Sequence, residues 1–144
     1  MKIALGNDHA GFVLREAVVN FLRSRNIDVL DFGSTEYNKE DSYTVPAFKV
    51  GKAMSDETAQ LGVLLCGTGY GISIAANKVP GVRAVACASP ENARIAKAHN
   101  GINVIALGGR EISPQDVAPI LSTWLDTPFE GGRHQLRVDS IPVK

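Results

Sequence analysis

Cys66 ends an apolar run, Leu61-Gly62-Val63-Leu64-Leu65, and is followed by Gly67-Thr68-Gly69-Tyr70-Gly71. A thiolate is a base or a nucleophile. Glycines at alternate positions let the backbone turn through positive φ and come close to a ligand. The N–H groups of such a turn, together with the start of a helix, make an anion site. A thiol beside an anion-binding loop is a layout for catalysis. No Lys-Ser/Thr closes the run, so it is not a P-loop, and the glycines are spaced two and two rather than as G-x-G-x-x-G. Most buried cysteines are small hydrophobes, so the residue type alone leaves Cys66 between packing and chemistry.

Other residues invite the same weighing. Asp8 and His9 follow a first strand: Asp8 is either the cap of a helix opening near Gly11 or an acceptor for sugar hydroxyls, and His9 is a donor or cation for an anionic group. His99 and Asn100 stand at the end of a helix, where a histidine is common for dipole reasons alone, although imidazole also moves protons near neutrality. Arg133 and Arg137 are four apart, so one helix face would present both. Two guanidinium forks suit a phosphate monoester; a solvated basic face is the plainer alternative. Cys87 has no glycine cradle and reads as packing.

The elements that must position these residues alternate between β-rich and helical patterns. Strands are expected at Lys2–Leu5, Ile27–Phe32, Leu61–Leu65, Arg83–Ala86 and Asn103–Leu107. Between them, helical spacing covers Phe12–Arg25, Val45–Met54 and Gly71 to about Lys78. Ser89-Pro90 opens a helix to Ala98 and Ser113-Pro114 another to Leu125, each with a serine cap and a proline in the first turn. A basic-started tail runs from Phe129 onward. Strand–helix alternation with short connections implies a parallel sheet covered on both faces. In such sheets ligands bind outside the carboxyl ends of the strands. Asp8, His9, Cys66 with its glycines, Cys87 and Gly108-Gly109-Arg110 all fall at those ends, which moves Cys66 toward chemistry.

Composition sets the frame. At 144 residues the chain is expected to form one domain, residues 1–144, with enough length for a substantial core. Fifteen Lys plus Arg balance fifteen Asp plus Glu, so nothing points to nucleic acid or an acidic membrane. There is no leader pattern and no membrane-length apolar run. The two cysteines have neither disulfide-framework nor metal-ligand spacing, and a reducing cytoplasm fits them.

Four stretches together resemble the ribose-5-phosphate isomerase B family, which includes allose-6-phosphate and galactose-6-phosphate isomerases. They are Gly6-Asn7-Asp8-His9-Ala10-Gly11-Phe12, the string from Cys66-Gly67-Thr68-Gly69 through Gly71-Ile72-Ser73-Ile74-Ala75-Ala76-Asn77-Lys78, His99-Asn100, and Gly131-Gly132-Arg133-His134-Gln135-Leu136-Arg137. The resemblance is collinear over nearly the whole chain. It implies a Rossmann-like three-layer α/β/α fold on a five-stranded parallel sheet. It implies a homodimer with sites at the interface, to which the tail from about 129 to 144 contributes; pairing into tetramers stays open. It also implies interconversion of an aldose phosphate and a ketose phosphate without metal or other cofactor, ribose 5-phosphate and ribulose 5-phosphate being the default pair.

By that resemblance Cys66 is the base, the Gly67 to Gly71 amides stabilise an enediolate, His99 assists ring opening, and Thr68 belongs to the catalytic set. Asp8 and Asn100 would bind hydroxyls, and His9, Arg110, Arg133 and Arg137 the phosphate, some from the partner subunit. Tyr43, Tyr70 and His134 complete the substrate contacts. Enediolate chemistry does need a base at carbon and donors at the developing oxyanion. Two departures bear on the substrate. The family's Asp-Tyr-Pro becomes Ser42-Tyr43-Thr44 here, and Tyr70 stands where an aliphatic residue is usual. Both are expected to reshape the sugar end of the pocket. The alternatives are an isomerase of allose 6-phosphate, galactose 6-phosphate or a tetrulose phosphate, or a catalytically silent sugar-phosphate-binding subunit. A nucleotide-binding module is disfavoured, because no acidic ribose-binding residue follows the first turn.

Overall fold

The computed structural model describes residues 1–142. In chain order the elements are β1 (Lys2–Asn7), α1 (Phe12–Ser24), β2 (Asp28–Asp31), α2 (Thr44–Ser55), β3 (Leu61–Cys66) and α3 (Tyr70–Ala76). There follow β4 (Ala84–Ala86), α4 (Pro90–Asn100), β5 (Val104–Gly108), α5 (Pro114–Asp126) and α6 (Arg133–Asp139). The five strands are all parallel in the order β2-β1-β3-β5-β4. This is the Rossmann-like three-layer sandwich expected.

Strand alternation sorts the core into two layers. Ile3, Leu5, Val63, Leu65, Ile105 and Leu107 meet α1, α4 and α5, where Leu14, Leu22, Ile120 and Trp124 are fully buried. The residues between them, Ala4, Leu64, Cys66, Val104 and Ala106, face α2 and α3 through Ala47, Val50, Ile72 and Ala76. No helix among the described residues is long and apolar enough to cross a membrane.

Several boundaries differ from the sequence expectation for identifiable reasons. β1 gains Gly6 and Asn7 because they pair with Leu64 and Leu65 of β3. β2 loses Ile27 and Phe32, since only four residues find partners on β1. α3 stops at Ala76 rather than Lys78 because the Asn77 side chain is engaged elsewhere: its Nδ2 donates to the Ala84 carbonyl (2.8 Å) and its Oδ1 accepts from the Ala84 amide (2.7 Å). α4 runs two residues past Ala98 and ends at Gly101, whose φ of 55° continues no right-handed helix. Ser89 accepts from the Asn92 amide (3.1 Å), and Ser113 with Asp116 closes a capping box. The tail forms a helix, α6; its last two residues lie outside those described.

Candidate active site

Strand order reverses between β1 and β3: β2 lies on one side of β1, and β3 with all later strands on the other. At such a switch point α/β sheets bind their ligands outside the carboxyl ends of the strands, and the residues found at those ends are Asp8 and Cys66.

Cys66 is 4 % exposed, and its Sγ accepts a hydrogen bond from the Gly69 amide at 3.1 Å. Gly69 makes this contact with φ at +85°, a conformation costly for any residue bearing a Cβ. Gly71 has a different reason to be glycine: a Cβ there would lie 2.7 Å from the Tyr43 ring. The Thr68 Oγ1 accepts from the Tyr70 amide at 3.1 Å, so the loop's own side chains hold it open in one shape. Tyr70 itself projects outward, 61 % exposed.

Asp8 is buried, and its Oδ1 accepts from the Gly11 amide at 2.9 Å. It therefore makes the local turn-closing bond foreseen for it, while standing at the switch point. His9 places Nδ1 3.2 Å from the Asp41 carbonyl and presents its ring edge-on to Tyr37. His9 and Arg110 line one groove of about 970 Å³ that continues along α1 past Phe12 and Glu16. The Arg110 amide donates to the Gly67 carbonyl at 2.9 Å, tying the β5 end to the glycine loop. At the departures from the family pattern, the Ser42 and Thr44 hydroxyls meet each other at 2.8 Å and satisfy one another locally.

The remaining candidates stand elsewhere. α4 runs back from the carboxyl edge, so its last residues, His99 and Asn100, reach the opposite edge, where β5 begins. The Arg83 guanidinium fixes that end, donating to the carbonyls of Asn100 (3.1 Å) and Gly101 (2.8 Å). His134 of α6 stacks on His99 with ring centroids 4.3 Å apart and planes 8° from parallel. His134 is 9 % exposed; burial first, then His99 and Arg133 beside it, hold its imidazole below the ordinary value. Arg133 and Arg137 are exposed on the same short helix, one turn apart. Arg110, Arg133 and Arg137 form no ion pair with a carboxylate among the described residues. Their charges remain available to an anion.

The candidates thus form two groups, one at each edge of the sheet. The five residues of β5, at ~3.3 Å each, separate them by roughly 16 Å within one chain. Sequence reasoning passed over Glu130, which sets a carboxylate oxygen 3.8 Å from His99 Nε2. Its only signal was its place directly before the Gly131-Gly132 turn. Cys87 behaves as packing: it is 3 % exposed in the other core layer, and burial pushes its thiol up to about 11.

A parallel α/β sheet with a cradled thiol at its switch point and unpaired arginines defines an enzyme-like site for a small anionic substrate. The chain belongs to the Ribose/Galactose Isomerase family, whose model matches residues 3–141. It is 43 % identical to the ribose-5-phosphate isomerase B of Escherichia coli (strain K12) over 97 % of this chain and 93 % of that one. A relative from Pectobacterium atrosepticum, 37 % identical over 98 % of this chain and 93 % of its own, is named D-erythrulose-4-phosphate isomerase. Among solved structures, the ribose-5-phosphate isomerase B of Clostridium thermocellum superposes with a TM-score of 0.94 at 42 % identity, covering 98 % of this chain and 95 % of that one. The enzyme of that name from Mycoplasma genitalium, solved with bound ribulose-5-phosphate, gives 0.91 at 36 % identity, covering 97 % and 93 %.

Proposed function

We propose that this chain is an aldose–ketose isomerase of sugar phosphates that interconverts ribose 5-phosphate and ribulose 5-phosphate. The observation that carries the reading is the Cys66 sulfur held 3.1 Å from the Gly69 amide at the switch point, in a chain of this family. Cys66 as thiolate takes the proton from C2 of the open aldose, giving an enediolate; the proton on O2 passes to O1, and Cys66 returns its proton to C1 as the C2 carbonyl of the ketose forms. The amides of Gly67 to Gly71 and the Thr68 hydroxyl meet the oxyanion charge as it develops. Neither metal nor cofactor takes part in this proton transfer. Asp8 and Asn100 bind hydroxyls, with Tyr43, Tyr70 and His134 around the sugar. His9, Arg110, Arg133 and Arg137 hold the phosphate, whose binding energy positions the reacting carbons.

The working unit is a homodimer of one-domain chains in the cytoplasm. His99, Asn100 and the two α6 arginines lie a sheet's width from Cys66, so a second copy brings them to it. Such a dimer is supported also by the exposed apolar side chains of Tyr70 and Ile74 on α3 and Phe48 on α2.

A second substrate is favoured by one observation: Ser42, Thr44 and Tyr70 depart from the family pattern. The test is an isomerisation assay on pentose, hexose and tetrose phosphates, with Cys66→Ala as control. The expected result is fastest turnover of ribose 5-phosphate and a loss of at least ~10³-fold in the variant, its phosphate-ligand binding kept. Faster turnover of another sugar phosphate would reassign the substrate. Turnover surviving in Cys66→Ala would remove the thiol from the mechanism, and silence across the panel would leave a binding subunit.

A further inference from the structure

The segment before α6 is fastened to the end of α4. The Glu130 amide donates to the Ala98 carbonyl at 2.9 Å, and Phe129 packs where a Cβ on Gly101 would meet its ring at 3.3 Å. So anchored, the Glu130 carboxylate faces His99 Nε2 at 3.8 Å, while His134 covers one face of the His99 ring. Stacking fixes the plane of the imidazole, and the carboxylate lies on its Nε2 side at ion-pair distance. The ligand atoms of His99, Glu130 and His134 lie within 4.8 Å of one another, as in a metal site. A shared ion must lie in the plane of each ring that ligates it, and two rings stacked 8° from parallel have no common point nearby. The geometry fits an oriented proton acceptor better than a pair of ligands.

We propose that Glu130 is the positioning residue for His99 in opening the sugar ring, an inference that rests on the ring-opening role given to His99. The carboxylate on the Nε2 side favours the tautomer with its proton there, which leaves Nδ1 bare to accept a proton. Opening ribose 5-phosphate breaks the bond between C1 and the ring oxygen O4. The anomeric O1–H proton passes to His99 Nδ1, the electron pair of the O–H bond forms the C1 carbonyl, and O4 takes a proton from water. Nothing is oxidised or reduced. The imidazolium so formed has the Glu130 carboxylate as its counter-charge, the arrangement by which an acidic residue assists histidine in hydrolytic triads. Both side chains are partly exposed, 38 % and 49 %, so the pair adds little as a resting salt bridge. Its effect falls on the step in which His99 becomes charged.

The experiment compares two reactions of Glu130→Gln. Ribulose 5-phosphate carries its phosphate on O5 and cannot close a furanose, so its deuterium uptake at C1 in D₂O reports enediolate chemistry without ring opening. Turnover of ribose 5-phosphate requires both steps. The expected result is a kcat on ribose 5-phosphate lowered roughly tenfold, with KM and deuterium uptake near wild type. Parallel loss of both reactions, or no loss of either, would overturn the proposal. His99→Ala is the benchmark. If it lacks the split, the ring-opening reading of His99 fails; if it shows the split and Glu130→Gln does not, only the role of Glu130 fails.

Discussion

The two edges of the sheet hold different chemistry in different ways. At the carboxyl edge, Cys66, Gly69 and Asp8 are buried, and the backbone itself is the instrument: an amide meets the sulfur, and a carboxylate closes a turn. At the amino edge, His99, Asn100, Arg133 and Arg137 are carried on the ends of helices and are half-exposed or exposed. The first group is fixed by strand ends in the core; the second is presented outward. The carboxyl edge holds the cradled thiol with Asp8 beside it, and the amino edge holds the stacked histidines, Glu130 and the α6 arginines. On the function proposed above, a site that uses both groups draws them from two copies of the chain, because one copy holds them at opposite edges of its sheet.

The most severe way to break that comparison is subunit complementation. Cys66→Ala and His99→Ala homodimers should each be inactive on ribose 5-phosphate. If the two groups meet across an interface, refolding an equal mixture yields heterodimers with one intact site of two. Activity should then return to about a quarter of wild type, since about half the dimers are mixed. A mixture as silent as its components would place both groups in one chain's site and remove the dimer from the mechanism.

Arg137→Ala sharpens the comparison with a smaller effect. In the proposed site the guanidinium holds the phosphate, which is the same in substrate and transition state, so its loss should raise KM and leave kcat nearly unchanged. A charge-assisted bidentate contact is worth enough to make that rise roughly tenfold or more. Initial rates over a range of ribose 5-phosphate concentrations decide it. An unchanged KM would return Arg137 to the solvated basic face that its exposure alone describes.

How much of this was legible before the structure follows from the two edges. The carboxyl edge was readable because its cause is local: an apolar strand, then a thiol, then glycines, all within eleven residues from Leu61 to Gly71. Asp8 could be placed at the same edge, and its bond to Gly11 was one of the two readings available. The amino edge was only partly readable. The four-residue spacing of Arg133 and Arg137 anticipated the α6 face, but the stacking of His134 on His99 joins residues 35 apart and has no local signal. Glu130 was missed for the same reason. Its role follows from a backbone bond to Ala98, which no periodicity records. Strand ends moved by one or two residues where pairing with a neighbour decided the matter, as at Gly6 and Asn7.

Cys87 supplies the finest test, because it shares the carboxyl edge with Cys66 but faces the other core layer. On the proposed reading, position at that edge does not by itself make a thiol the base; the amide donor at Cys66 is what sets the two apart. Among the described residues the Cys87 thiol has one hydrogen-bond partner, the Val85 carbonyl at 3.9 Å, and burial raises its value from 9.0 to about 11. An acid whose value is higher folded than unfolded keeps its proton in the native state while the unfolded chain loses it. Stability from this group is intact below pH 9.0 and falls as pH rises toward about 11. The slope cannot exceed ~1.4 kcal/mol per pH unit for one group. Cys87→Ala should cost about 1 kcal/mol at neutral pH through the lost sulfur contacts and leave turnover unchanged. Its denaturant midpoint should fall less steeply than wild type between pH 9.0 and about 11, since every other titrating group is common to both chains. Equal slopes would mean that the native fold tolerates a Cys87 thiolate, and the contrast between the two cysteines would then rest on the glycine loop alone.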